Sequence, residues 1–209
     1  YPKAKRDLTQ RLESKTEEVR SVARKFDKEF FDGERKFGYG GFSYNSKYWS
    51  EVVKDFSNYY NLSDDSKILD VGCAKGFMLY DFYKLNSNFY LYGIDISKYA
   101  IENSVPEIKK KLQVANVMKL PYEDNFFDLV IAINTIHNLD KNECEIALKE
   151  ISRVSKKNAF ITVDAFSNED EKKRMYAWNL TAKTIMSIED WKRFFSDTKY
   201  NGDYFWFTP

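Results

Sequence analysis

At 209 residues, with 43% hydrophobic and 17% aromatic content, the chain is long enough to bury a substantial core and short for two domains of ordinary size. Lysine and arginine number 33 against 32 acidic residues, so a net charge of +1 gives no bulk electrostatic reason to bind nucleic acid or a membrane surface. Two cysteines, Cys73 and Cys144, exclude a disulfide framework and a cysteine-built zinc site and point to a reducing, cytoplasmic compartment.

No apolar run reaches the roughly 18 residues of a membrane helix, and the charged start does not resemble a secretion signal. The sequence opens at Tyr1 and not at Met, as a trimmed piece would. Residues 2–28 are highly charged, with Leu8, Leu12, Val19, Val22, Ala23 and Phe26 spaced as in one or two amphipathic helices. Such helices either pack over the domain's edge or form a lid or dimer contact. Residues 30–45 hold four of the eight glycines among aromatics, a density that neither helix nor strand tolerates, so a shaped loop is expected. Tyr39 and Tyr44 within it either cover a ligand or plug the loop onto the core. Residues 47–60 predict a helix with Trp49, Val52, Val53, Phe56 and Tyr60 on one side, followed by a polar break.

The stretch from Lys67 to Phe77 organises the rest. Ile68, Leu69 and Val71 predict a strand, Gly72 and Gly76 a turn, and residues 77–85 an amphipathic helix. A glycine turn in that place brings bare backbone close to a ligand, so a cofactor pocket is expected. The dinucleotide fingerprint fails, because Ala74 and Phe77 stand where its second and third glycines belong, and no phosphate-cradling G-x-x-x-x-G-K-[ST] loop exists. What remains is D-x-G-x-A-x-G from Asp70 to Gly76, then the strand Leu91–Asp95. The terminal Asp95 is placed to accept hydrogen bonds from both hydroxyls of a ribose.

Further on, residues 97–104 predict a crossover helix ended by Pro106, and 112–115 a short strand. Phe127 to Ile133 is apolar almost throughout, as a strand buried on both faces requires. It ends at Asn134-Thr135-Ile136-His137, beyond the carboxyl edge of the sheet, where ligands sit in doubly wound folds. His137, the single histidine, either takes a proton from an acceptor or hydrogen-bonds the helix start that follows. Residues 142–155 predict a helix with Cys144, Ala147, Leu148, Ile151 and Val154 as its buried stripe. A strand at 159–163 then leads to Asp164. A charged helix at 168–179, a helix capped by Ser187 and running to Phe195, and an aromatic strand at 203–207 complete the chain. There is no internal repeat.

Ile68 to Gly76 together with Gly93-Ile94-Asp95 resembles the cofactor-binding half of class I S-adenosylmethionine-dependent methyltransferases. Asn116 to Tyr122, followed by Asn125 to Val130, resembles the D-A-x-x-L-P-F…F-D-x-V block of the same family. The likeness covers residues 67–164 and is nearest to the small-molecule enzymes such as ubiquinone, menaquinone and sugar methyltransferases. It implies an α/β fold: a Rossmann-like, doubly wound, mostly parallel sheet with helices on both faces and an N-terminal helical lid. Residues 1–62 would form the lid, and 63–209 the cofactor domain with an insertion near 165–186. It further implies S-adenosyl-L-methionine as cofactor, held by Asp70, Gly72, Cys73, Ala74, Gly76, Asp95, Ile96, Asn116, Val117 and Asn134. Asn116 stands where aspartate is commoner, accepting from the adenine amino group, and Val117 would wall the ring. Residues 155–158 resemble the family's K-P-G-G turn with Lys157 and Asn158 for Pro and Gly, and asparagine tolerates the left-handed geometry. The family closes on a two-stranded hairpin of which one strand is legible, so either the chain is trimmed or the sheet's edge is incomplete.

Methyl transfer from a sulfonium is an in-line displacement, so few side chains are diagnostic. A hydroxyl acceptor needs a base, for which His137 is the first choice and Asp164 the second. For a neutral amine, desolvation suffices. Tyr39, Tyr44, Arg174 and Trp178 are the expected substrate contacts, while most charges near Arg174 read as a solvated face. The [DN]-P-P-[YF] motif of amide methylation, a Pro-Cys nucleophile and a catechol-type metal cluster are all absent. The expected function is methylation of a small polar acceptor, in the first place a hydroxyl, with neither nucleic acid nor membrane as partner and a homodimer left open. The alternatives are a non-catalytic S-adenosylmethionine-binding module and a protein methyltransferase.

Overall fold

Apolar runs bounded by polar turns become parallel strands, and the amphipathic stretches between them cover the sheet. The computed structural model describes residues 15–40 and 43–208, so Leu8, Leu12, Gly41 and Phe42 lie outside the described residues. The strands are β1 (Lys67–Val71), β2 (Tyr90–Asp95), β3 (Leu112–Val114), β4 (Phe127–Ile133), β5 (Ser155–Phe166), β6 (Met186–Ser187) and β7 (Asp203–Phe207). Their order is β3-β2-β1-β4-β5-β6, with β7 also paired to β5. Every strand pairing among the described residues is parallel. Strand order reverses between β1 and β4, which opens a crevice at the carboxyl edge.

The helices are α1 (Glu17–Ala23), α2 (Lys28–Asp32), α3 (Ser50–Tyr59), α4 (Phe77–Leu85), α5 (Lys98–Glu102), α6 (Lys141–Val154), α7 (Glu169–Trp178) and α8 (Ile188–Asp197). On one face of the sheet, Cys144, Ala147, Leu148, Ile151 and Val154 of α6 and Trp191 and Phe194 of α8 pack on Leu69, Val71 and Ala132. On the other, Val53 and Phe56 of α3 and Leu79 and Phe82 of α4 pack on Ile68, Leu129 and Ile131. The α6 stripe is the one its periodicity predicts. No helix among the described residues is long and apolar enough to cross a membrane.

Two expectations are corrected. The turn at 155–158 does not form, because α6 runs straight into β5 and Asn158 is not among the left-handed residues. A register shift between Phe127 and Leu129 absorbs the extra residue. The Asn158 side chain donates to the Asp128 carbonyl at 3.1 Å, which ties it to the neighbouring strand. The C-terminal strand β7 is likewise no arm of a hairpin: it lies parallel to β5, with Phe160 opposite Asp203 and Asp164 opposite Phe207.

The N-terminal segment is fastened at two distant places. Val19 and Ala23 of α1 pack with Phe30, Phe37 and Tyr39 around Leu180. Arg20 donates to the Tyr176 and Asn179 carbonyls at 3.2 and 3.4 Å. At the far end Asp32 accepts from Lys75 and, at 2.7 Å, from the Tyr99 hydroxyl. The segment therefore reaches from the residues after α7 to the glycine turn and α5.

Candidate active site

The turn after β1 holds Gly72, Ala74 and Gly76 at φ of 79°, 50° and 79°, so every second residue is left-handed. The Gly72 and Cys73 N–H groups donate to the Ile94 carbonyl at 2.8 and 2.9 Å, which binds the turn to the end of β2. A Cβ at Gly72 would lie 2.8 Å from Thr135 Cγ2 and nearer still to its Oγ1, while one at Gly76 would press on Ile108 and Leu112. Thr135 in turn donates to the Val71 carbonyl at 3.0 Å, holding the ends of β1 and β4 together.

Asp95 ends β2 with both carboxylate oxygens engaged: Oδ2 accepts the Ala74 N–H and Oδ1 the Ser97 N–H, each at 2.8 Å. Burial raises its pKa, and these N–H groups oppose the rise. Each oxygen keeps a second acceptor direction for a ligand hydroxyl. Asp70 differs. It is 4% exposed, and no hydrogen bond to its carboxyl exists among the described residues. Burial, reinforced by the charge of Asp95, lifts its pKa to about 8. A carboxyl left in that state is prepared to receive a cation.

Beside Asp95, Ile96 is 60% exposed and offers an apolar face. Asn116 is exposed, and its Oδ1 closes its own turn by accepting the Met118 N–H at 2.9 Å. The Val117 side chain is buried in the core. A nucleoside carrying a cationic amino-acid arm would find here bare backbone at Gly72–Gly76, the Asp95 carboxylate, the exposed Ile96 side chain and the Asp70 carboxyl, which has no hydrogen bond among the described residues. The residues fit S-adenosylmethionine.

Next to this crevice, Asn134 at the end of β4 has φ 52°, and its Oδ1 accepts from the Thr162 hydroxyl at 2.7 Å. His137 is buried, and its Nδ1 accepts the Asp164 backbone N–H at 2.8 Å. That bond commits the lone pair a base would use and leaves the ring proton on Nε2. Burial lowers the histidine's pKa, with the Asp164 carboxylate opposing, and the carboxylate itself lies 3.8 Å away. The ring that was the first choice as a base therefore stands as a neutral donor. Asp164 is also buried, with its pKa raised by that burial while His137 and Lys15 pull it back.

Tyr39 and Trp178 stack with centroids 5.9 Å apart and planes 29° apart. The Tyr39 hydroxyl accepts the Leu180 and Thr181 N–H groups at 2.7 and 3.3 Å. Two other expected substrate residues stand differently. Tyr44 packs on α4, where its hydroxyl donates to Asp81 and accepts from Lys84 at 2.9 Å, so it anchors the loop to that helix. Arg174 is exposed on α7, near Glu171. Lys15, Asp32 and Lys75 carry no pattern that singles them out in the sequence. Lys75 is nevertheless 7% exposed inside the turn, and a lysine in a cofactor turn is a signal that reasoning from glycine spacing passes over.

A family model described as a methyltransferase domain matches residues 62–199. The chain is 32% identical over 135 residues to a tRNA (carboxymethyluridine(34)-5-O)-methyltransferase of Arabidopsis thaliana, covering 63% of this chain and 31% of that protein. It is 35% identical over 115 residues to phosphoethanolamine N-methyltransferase 3 of the same plant, covering 52% of this chain and 22% of that protein. It thus spans less than half the length of either relative. Among solved structures, the YcgJ protein of Bacillus subtilis superposes with a TM-score of 0.56 at 18% identity, over 71% of this chain and 67% of that one, which shows the fold. With the glycine turn, Asp95 and the strand order in agreement, the chain belongs to the class I S-adenosylmethionine-dependent methyltransferases.

Proposed function

We propose that this chain transfers the methyl group of S-adenosylmethionine to a small polar acceptor seated near His137, Asp164 and the Tyr39–Trp178 pair. The observation that carries this reading is the pair of buried carboxyls, one locking the glycine turn and one left without a partner. When bound, the cofactor supplies a methyl carbon already activated by its positive sulfur. The protein's task is then to align the acceptor and exclude water. Asp95 would grip the ribose and Asp70 the cationic end, while Ile96 lies against the base. Residues 15–40, tied down at Lys75 and at the residues after α7, would act as the lid.

A hydroxyl acceptor would have to rely on Asp164, since the Nδ1 lone pair of His137 already accepts an N–H. The two relatives carry nitrogen and oxygen methylation in their names, so both acceptor atoms are within the family's range. The test is incubation with methyl-labelled S-adenosylmethionine and matched panels of small amines and alcohols, scored by label transfer and S-adenosylhomocysteine formation. Acceptor-dependent turnover, absent in Asp95→Ala, supports the reading. Binding of the cofactor without turnover on any acceptor would favour a binding module.

A further inference from the structure

Resting on the methyltransferase reading above, we infer that the place over the Tyr39 and Trp178 rings, within reach of the Asp164 charge, is an alkylammonium subsite, and that the acceptor is an amine. The chain holds an ammonium of its own there. Lys15 Nζ lies 5.5 Å from the Tyr39 ring centroid and 5.1 Å from that of Trp178, and it donates to the Trp178 carbonyl. Both distances fall within the ~6 Å at which a ring quadrupole attracts a cation. The Asp164 carboxyl is close enough to respond to the Lys15 charge.

The cage is built independently of its occupant. Trp178 ends α7 and is buried, and the Asn179 side chain clamps the turn that follows by donating to the Ala182 carbonyl at 2.8 Å. The Tyr39 ring is fixed by two backbone N–H groups and packs beside Leu180. His137, held neutral by the N–H it accepts, adds no repelling charge. An alcohol of equal size gains nothing from the ring faces and leaves Asp164 without a countercharge. A primary alkylammonium in that place can meet the same two ring faces and donate to the same Trp178 carbonyl.

The chemistry balances without a histidine base. An ammonium has no lone pair, so it first passes one proton to the Asp164 carboxylate. The freed lone pair then forms the C–N bond as the C–S bond breaks and its electron pair stays on sulfur.

The test is calorimetric titration of the full chain, with S-adenosylhomocysteine present, by tetramethylammonium and by tert-butanol, a neutral molecule of similar size. Saturable tetramethylammonium binding is expected, about fivefold tighter in Lys15→Ala, where the internal cation is gone, and at least about tenfold tighter than tert-butanol. Asp164→Asn, which preserves shape, should lose it while still binding S-adenosylhomocysteine. Comparing n-propylamine with Nα-acetyl-lysine amide tells a small free amine from a protein side chain as the source of the ammonium. Equal affinity for cation and alcohol, or no cation binding by Lys15→Ala that still binds S-adenosylhomocysteine, overturns the inference alone. Failure to bind S-adenosylhomocysteine at all overturns the methyltransferase reading and the inference with it.

Discussion

Asp32 and Lys75 meet at 2.6 Å, joining the N-terminal segment to the middle of the turn that would cup the cofactor. The lysine side chain is 9% exposed and that of the aspartate 30%, so the pair is screened on one side only. Through it, the placing of the segment bears on the shape of the turn.

Breaking this pair should loosen the proposed lid before it loosens the fold. Asp32→Ala is expected to speed S-adenosylhomocysteine release about fivefold, or ~1 kcal/mol for a half-screened pair. Stopped-flow displacement measures it, and an unchanged release rate would contradict it. Burial pushes the Asp32 carboxyl up, but the hydrogen bonds from Lys75 and Tyr99 outweigh it and leave the pKa below the usual value of 3.8. The latch is therefore present above that pH and is lost as pH falls below it.

Asp70 should give up its proton on ligand binding. With a pKa of about 8, its carboxyl is protonated in the free protein at neutral pH. An ammonium arriving beside it favours the carboxylate, so S-adenosylhomocysteine binding at about pH 7 should release about one proton. The binding heat should then vary with the buffer's ionisation enthalpy, and Asp70→Asn should remove the variation. By the same linkage, this carboxyl lowers the stability of the free protein as pH rises from about 4 to about 8, because the folded chain keeps a proton that the unfolded chain has lost. Heats that do not depend on the buffer would count against Asp70 as the cation's partner.

Gly72→Ala should cost about 2 kcal/mol, through positive φ and the collision with Thr135 together. Adding Thr135→Ala removes the colliding Oγ1 and Cγ2 and should restore about half of the loss, leaving the backbone strain. Urea unfolding of the two single variants and the double one measures this. Strictly additive losses would show that the two residues do not meet.

The rate profile should lack a histidine limb. His137 is held neutral by burial and by the N–H its Nδ1 accepts, so its folded pKa lies below 6.5. The folded state then binds fewer protons than the unfolded one as pH falls below 6.5, and stability drops in that window. His137→Asn keeps an acceptor near Nδ1 and should lose less stability between about pH 7 and pH 5 than the parent. A kcat that falls with a histidine pKa and vanishes in His137→Asn would restore the histidine as a base.

What is legible in the sequence is what local signals determine. β1, β2, β4 and the buried stripe of α6 follow from apolar runs and periodicity, and Ser187 caps α8 as its spacing predicts, accepting the Asp190 N–H at 3.0 Å. Long-range choices are not legible. Asn158 has the propensity for a turn but is drawn into β5 by its bond to Asp128, and β6, a pair of residues, is too short to carry a period. The meeting of Lys15 with Trp178 is invisible for the same reason, since the two lie 163 residues apart. Tyr44 shows the limit from the other side: an aromatic beside glycines looks equally suited to a ligand or a helix, and its distant partners Asp81 and Lys84 decide which.

The most direct measurement is calorimetric titration with S-adenosylhomocysteine of the parent protein and of Asp95→Ala, with the fold of each checked by circular dichroism. One-to-one binding by the parent and a loss of about 100-fold in the variant are expected, because two ribose hydroxyls lose a charged acceptor worth about 3 kcal/mol. Absence of binding by the parent, or undiminished affinity in a folded Asp95→Ala, would contradict the assignment of the glycine turn and Asp95 as the cofactor site.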